Sequence, residues 1–128
     1  MTEWTPRQLE ILDHTRTLRL ATISPRGDPF NAPVRFYFDG ASLYITSPAE
    51  SEQIAHLHAN RRLAVLADLS EDGALQGFVV QGLAQWVHSD REAQGVWEAM
   101  TAKYPARPPE EVRGALVKID AVRVRDLD

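Results

Sequence analysis

Leu18 to Gly40 reads LRLATISPRGDPFNAPVRFYFDG, and this stretch decides the fold. Leu18 to Ser24 is predicted as a strand. Pro25-Arg26-Gly27-Asp28 carries turn chemistry, with proline and glycine at the positions a tight reversal asks for. Phe30 to Phe38 is a second strand with period two. Phe30, Ala32, Val34, Phe36 and Phe38 face one way, and Asn31, Pro33, Arg35 and Tyr37 face the other. Pro33 has no N–H to give to a ladder, so this strand is expected to have an edge, a bulge or a bound group beside it. Asp39-Gly40 then signals a hairpin.

Downstream, Ser42 to Leu69 reads SLYITSPAESEQIAHLHANRRLAVLADL. Leu43 to Thr46 returns as a strand, and Ser47-Pro48-Ala49-Glu50 is a loop. Ser51 is placed to cap a short helix carrying Ile54 and Leu57, with Asn60 as its stop. Leu63 to Leu69 is apolar enough for a central strand, and Glu71-Asp72-Gly73 is the next turn. Phe78 to Val87 is a long strand, and Gly82 inside it predicts a bend or bulge. Upstream, Thr5 with Pro6 and Gln8 predicts a capping box, and Trp4 and Leu9 occupy the positions of a hydrophobic staple. That first helix is expected to present Leu9 and Leu12 on one face and to end near Thr15. Ser89 and Glu92 form a second capping-box pattern. The helix it starts carries Ala93, Val96, Trp97, Met100 and Tyr104 on one stripe and is stopped by Pro105, Pro108 and Pro109. Ala115 to Ile119 and Val122 to Leu127 are the last predicted strands. Short strands joined by tight turns, with helices between some of them, predict a mixed, mainly antiparallel β-barrel with helices rather than a doubly wound sheet.

Composition sets the outer bounds. A chain of 128 residues is expected to form a single domain over 1–128. Hydrophobic residues make up 44% and charged residues 25%, the balance of a soluble protein. The formal net charge of −4 gives no general reason to bind nucleic acid or an anionic membrane. No cysteine is present, which excludes disulfides, thiolate chemistry and cysteine-based metal sites. The segment MTEWTPRQ lacks a basic stretch followed by an apolar core, and no apolar run approaches the roughly 20 residues of a spanning helix. The expected location is therefore cytoplasmic.

The series of strands, together with the serine at the start of the helix after Pro48, resembles the FMN-binding split-barrel family, also called the pyridoxamine 5′-phosphate oxidase-like family. The likeness is close from Thr5 to Val87 and looser over the last strands. It implies a homodimer with FMN lying against the barrel between the two copies. It implies that Asn31, Pro33, Val34, Arg35 and Phe36 run along the flavin ring and ribityl chain. It also implies that Thr46, Ser47, Ser51 and Gln53 hold the phosphate, with Gln76 as a weaker ring contact. The helix-start N–H groups and the helix dipole favour an anion at that point. The implied activity is a flavin-dependent oxidoreduction of a small-molecule substrate. No residue stands out as a dedicated general acid or base, and vitamin B6 synthesis, for which true pyridoxamine phosphate oxidases use a longer C-terminal part, is not expected.

Two positions depart from the family pattern. Enzymes of this family place arginine and lysine after the serine, where this chain has Glu52 and Gln53. A carboxylate aimed at a phosphate is repulsive, so Glu52 is expected to turn away to solvent if FMN binds. Arg35 is the best replacement cation, ahead of Arg61 and Arg62. Two alternatives stay open on the same fold: an F420- or haem-binding barrel, with Glu52 and Gln53 counting against F420 as they do against FMN, and a cofactor-free binding or regulatory protein, which the same departures favour. A haem would need an axial ligand from His14, His56, His58 or His88. His56 and His58, two apart on a helix, point to different faces and read as surface histidines rather than a metal pair. Arg123 and Arg125 read as a solvated strand face.

Overall fold

The period-two pattern of the strands sorts their side chains into an inside and an outside, and closing the sheet buries the inside set. The computed structural model describes residues 3–127. Six strands form a closed antiparallel barrel: β1 (Leu18–Ile23), β2 (Pro29–Phe38), β3 (Leu43–Ser47), β4 (Arg62–Asp68), β5 (Gly77–Trp86) and β6 (Ala115–Leu127). Their order around the barrel is β1-β2-β3-β6-β5-β4, with β4 pairing back onto β1. Four helices accompany them: α1 (Pro6–His14), α2 (Glu52–Ala59), α3 (Asp90–Lys103) and α4 (Pro109–Val112). The expected barrel class is the one observed.

The barrel interior is filled by Leu18, Leu20, Val34, Phe36, Ile45, Val65, Phe78, Val80 and Val117, all buried, with Ile11 and Leu12 of α1 and Ile54 and Leu57 of α2 joining them. The outer face of β3 and its neighbours is covered too. Tyr44, Val96, Met100, Tyr104, Val112 and Leu116 form a second cluster under α3 and α4. Covered on both faces, β3 is buried at all five positions.

Local chemistry explains the element ends. Thr5 Oγ1 accepts from Gln8 N at 3.1 Å and Gln8 Oε1 accepts from Thr5 N at 3.0 Å, so the expected capping box is present. The staple is not. Leu9 is 41% exposed, and Trp4 packs edge-on against Phe38 instead. The buried face of α1 is Gln8, Ile11 and Leu12, not Leu9 and Leu12, because Gln8 turns inward to donate to Asp126 Oδ1 at 2.9 Å. At α3, Ser89 Oγ accepts from Glu92 N, but the Glu92 carboxylate completes no box. It accepts instead from Tyr44 OH at 2.5 Å and lies 3.5 Å from Lys118 Nζ.

The bulge expected at Gly82 is present. The β5–β6 register slips between Gln81 and Gly82, leaving Val122 as the extra residue on β6. A Cβ at Gly82 would stand 2.3 Å from Asp120 O, so the backbones approach where only glycine fits. The two C-terminal strands expected from the sequence are one strand, β6, and the apparent break between them is this bulge. The short helix α4 was not expected. It starts on Pro109 with Glu110 and Glu111 in its first turn, a composition suited to a helix start. No helix among the described residues is long and apolar enough to cross a membrane.

Burial pushes the Tyr44 hydroxyl well above its ordinary range, helped by the Glu92 carboxylate, and burial also raises Tyr104. Both phenols therefore hold protons in the fold that the unfolded chain releases above about pH 10. Above that pH the native state binds more protons than the unfolded state, so stability falls as pH rises. Urea unfolding from pH 9 to pH 11 is expected to show that fall, and Tyr44→Phe should make it shallower. An unchanged slope in the variant would contradict the account of Tyr44.

Candidate cofactor groove

The sheet opens where β2 outruns β3. β1 pairs with β2 from Pro29 to Val34, whereas β3 meets β2 only from Arg35 to Phe38. Residues 29–34 of β2 thus have no β3 partner along one edge. The exposed Asn31 and Pro33 lie on this segment, which is the edge position expected for Pro33. Val34 and Phe36 are 4% and 1% exposed and point into the barrel, so only their backbone could face a bound molecule.

After Ser47 the chain turns, Ser51 N donates to Pro48 O at 3.0 Å, and α2 begins. Thr46, Ser47 and Gln53 are buried here. Gln53 Nε2 donates to Ser47 Oγ at 3.0 Å, and Thr46 Oγ1 makes a long 3.5 Å contact to Val112 O. Ser51 is the N-cap by position, yet its hydroxyl makes no cap bond. Its Oγ is buried and has no partner. An unpartnered buried hydroxyl beside free helix-start N–H groups is an arrangement suited to an acceptor-rich ligand such as a phosphate.

None of the three replacement cations named from the sequence is committed to that spot. Arg35, the favoured replacement, is engaged by α4: Nη2 lies 3.2 Å from Glu111 Oε1 and Nη1 donates to Glu111 O at 3.3 Å. Arg61 Nε donates to Ala84 O at 2.8 Å, and Arg62 is exposed. Glu52 does not point at the helix start. Its side chain is 61% exposed, and its carboxylate comes to 3.6 Å from His56 Nε2, one turn along the helix.

His56 corrects the reading of a surface histidine pair. It is 6% exposed, its Nδ1 lies 2.9 Å from the buried Thr22 Oγ1, and Phe30 meets its ring edge-on. His58 is exposed and stacks on Trp86 with centroids 4.3 Å apart. The two do diverge, as residues two apart on a helix must. Thr22 was not among the candidates, and His56 was named only as an axial-ligand option for haem and otherwise read as a surface histidine, although Thr22 continues the inward series Leu18, Leu20 along β1 and so pointed at a polar partner inside. Gln76 is brought to none of these residues. It is exposed and accepts from Arg7 Nη2 at 2.7 Å.

The sequence matches the family described as pyridoxamine 5′-phosphate oxidase over residues 5–128, and the chain belongs to that split-barrel family. No match is found among curated proteins. Solved structures share the fold at low identity. The conserved hypothetical protein Rv2991 of Mycobacterium tuberculosis superposes with a TM-score of 0.81 at 20% identity, over 98% of this chain and 86% of that one. The haem storage protein HutZ of Vibrio cholerae gives 0.79 at 16% identity, over 98% and 95%. A haem-binding protein of Mycobacterium smegmatis gives 0.79 at 18% identity, over 99% of this chain and 55% of that longer one.

The two serine N-caps make a stability test of the groove. Ser89→Ala removes a working cap and should cost about 1 kcal/mol. Ser51→Ala removes only an unpartnered hydroxyl and should leave the unfolding midpoint unchanged or slightly raised. Equal losses in a denaturant titration would show that Ser51 has a partner after all.

Proposed function

We propose that this chain is a flavin-binding oxidoreductase that takes FMN in the groove beside the open edge of β2. The observation that carries the reading is the unpartnered Ser51 hydroxyl at the start of α2. In the proposed assignment, Ser51, the α2 helix-start N–H groups and the Ser47–Gln53 pair receive the phosphate. The backbone from Asn31 to Arg35 supplies hydrogen bonds to the ring. Bound flavin would supply hydride or electron transfer to a small-molecule substrate. The chain's own part is to position the ring, to shield one of its faces, and to hold the phosphate by dipoles and hydroxyls. Glu52 is compatible with this because its carboxylate leans on His56.

A second copy of the chain would close the groove. Support comes from the outward face of β1, β4, β5 and β6, where Ala21, Ile23, Ala64, Leu83 and the bulged Val122 line a shallow hollow of about 450 Å³. Ile23 and Val122 are 37% and 73% exposed there, and apolar groups on a sheet face are what a homodimer interface would bury.

FMN titration followed by flavin fluorescence tests the assignment. Glu52→Lys restores a cation near the helix start and should tighten FMN roughly tenfold, a gain of about 1.4 kcal/mol. Ser51→Asp should weaken it by a similar factor. Failure of the parent and of Glu52→Lys to bind FMN would dispose of the flavin reading. Haem is the second reading, favoured by the haem proteins among the structural neighbours. Its sign would be a Soret band on haem addition, lost on replacing one histidine. His14, His58 and His88 are exposed, although His14 Nδ1 is bonded to Glu10 O and His58 is stacked on Trp86, whereas His56 is held against Thr22.

A further inference from the structure

The chain carries 14 basic side chains, and only Lys103 and Lys118 among them are lysines. Their settings differ. Lys118 Nζ lies 3.5 Å from Glu92 Oε2, inside an ion pair. Lys103, the last residue of α3, pairs with no carboxylate among the described residues. Its Nζ donates to Phe36 O at 2.9 Å and stands 3.1 Å from the centroid of the Phe36 ring. Its neighbour in charge is a second cation: Arg16 donates to the Lys103 carbonyl at 3.0 Å. Burial, with the Arg16 charge adding to it, pulls the Lys103 amine down to about 8. Roughly a tenth of it is then free amine at pH 7.

Lys103 also lines a groove of about 940 Å³ between α1, α3 and the β2–β3 turn, with Leu9, Leu12, Tyr37 and Phe38 among its apolar walls. The charged groups facing this groove are Glu10, Asp13 and Arg16 from α1 and the residues after it, and Asp39 from the hairpin. Glu10 is drawn to Arg7 at 3.3 Å, and Asp39 accepts from Ala41 N and Ser42 N at 2.9 and 2.7 Å. Asp13 forms no ion pair either, so none of the three carboxylates is spent on Lys103 among the described residues. The amine therefore meets a ring face, a carbonyl, a like charge and an open groove. Desolvated lysines next to a second cation are the nucleophilic ones.

We propose that Lys103 is a reactive amine site for a small aldehyde with an apolar or aromatic body, bound in the groove between α1 and α3. The free amine adds its electron pair to the carbonyl carbon. The resulting carbinolamine loses water, and a reversible imine forms with no oxidant or reductant consumed. The site lies outside the flavin groove and does not depend on it.

Benzaldehyde with sodium cyanoborohydride, applied to the full chain at pH 7.5 and followed by peptide mapping, tests the proposal. The reductant fixes each imine as a benzylated lysine, and the absence of cysteine leaves no thiol to compete. Lys103 should be labelled at least about tenfold faster than Lys118. Its rate should saturate with aldehyde concentration, since the ligand binds before it reacts. Arg16→Gln, checked for folding by circular dichroism, should slow Lys103 severalfold at pH 7.5 and leave Lys118 unchanged. Equal labelling of the two lysines, or a Lys103 rate that climbs linearly without saturation, overturns the proposal.

Discussion

Ten residues of β2 face five of β3, and this mismatch in length governs the rest of the structure. A barrel in which every strand were matched would have no free edge and no room at this point. Here β3 stops at Ser47, so β2 continues from Pro29 to Val34 with β1 as its partner and nothing from β3 on the other side. The chain must then leave the sheet, and it does so through Pro48 into α2. That exit puts a helix start, a buried serine hydroxyl and an unpaired strand edge in one place. Around this point α3 and α4 cover β3, and α1 and α2 pack into the core.

The fold was legible because its strands and turns are encoded locally. The alternation of Phe30 to Phe38, the Asp39-Gly40 turn and the Thr5 capping box each depend on residues a few positions apart. What failed to show in the sequence was decided by distant partners. Leu9 fits a staple by spacing, but Trp4 finds Phe38 and Phe78 across the barrel and leaves Leu9 outside. Glu92 fits a capping box, but Tyr44 and Lys118 from other strands claim its carboxylate. The gap read between two C-terminal strands is a bulge that exists only because β5 places Gly82 against Asp120.

The groove was legible as a set of hydroxyls and illegible as a charge balance. Ser47 and Gln53 meet at the start of α2, while Thr46 Oγ1 contacts Val112 O and Ser51 Oγ has no partner. The fate of Arg35 depended on Glu111, contributed by a helix that three nearby prolines had concealed. The fate of Glu52 depended on His56, whose burial followed from Thr22 some 34 residues away in sequence. In both cases a charged residue near the groove is occupied by a partner the local sequence does not announce.

These engagements change what the departure at Glu52 and Gln53 means. A family site holding arginine and lysine neutralises a phosphate with full charges. In the assignment proposed above, the donors here would be helix-start N–H groups, a hydroxyl and an amide, all neutral and dependent on orientation for their strength. Neutral donors fixed by the fold lose less to salt than surface cations do, but they also attract an anion over a shorter range. Meanwhile a fully charged arginine is kept at Glu111 and a partly desolvated lysine at Phe36. Arg35 and Lys103 thus brace α4 and line the α1–α3 groove, and neither is given to the start of α2. An anion held there would be recognised by shape and hydrogen-bond geometry, and its affinity would be limited by how rigidly α2 keeps its first turn against Pro48.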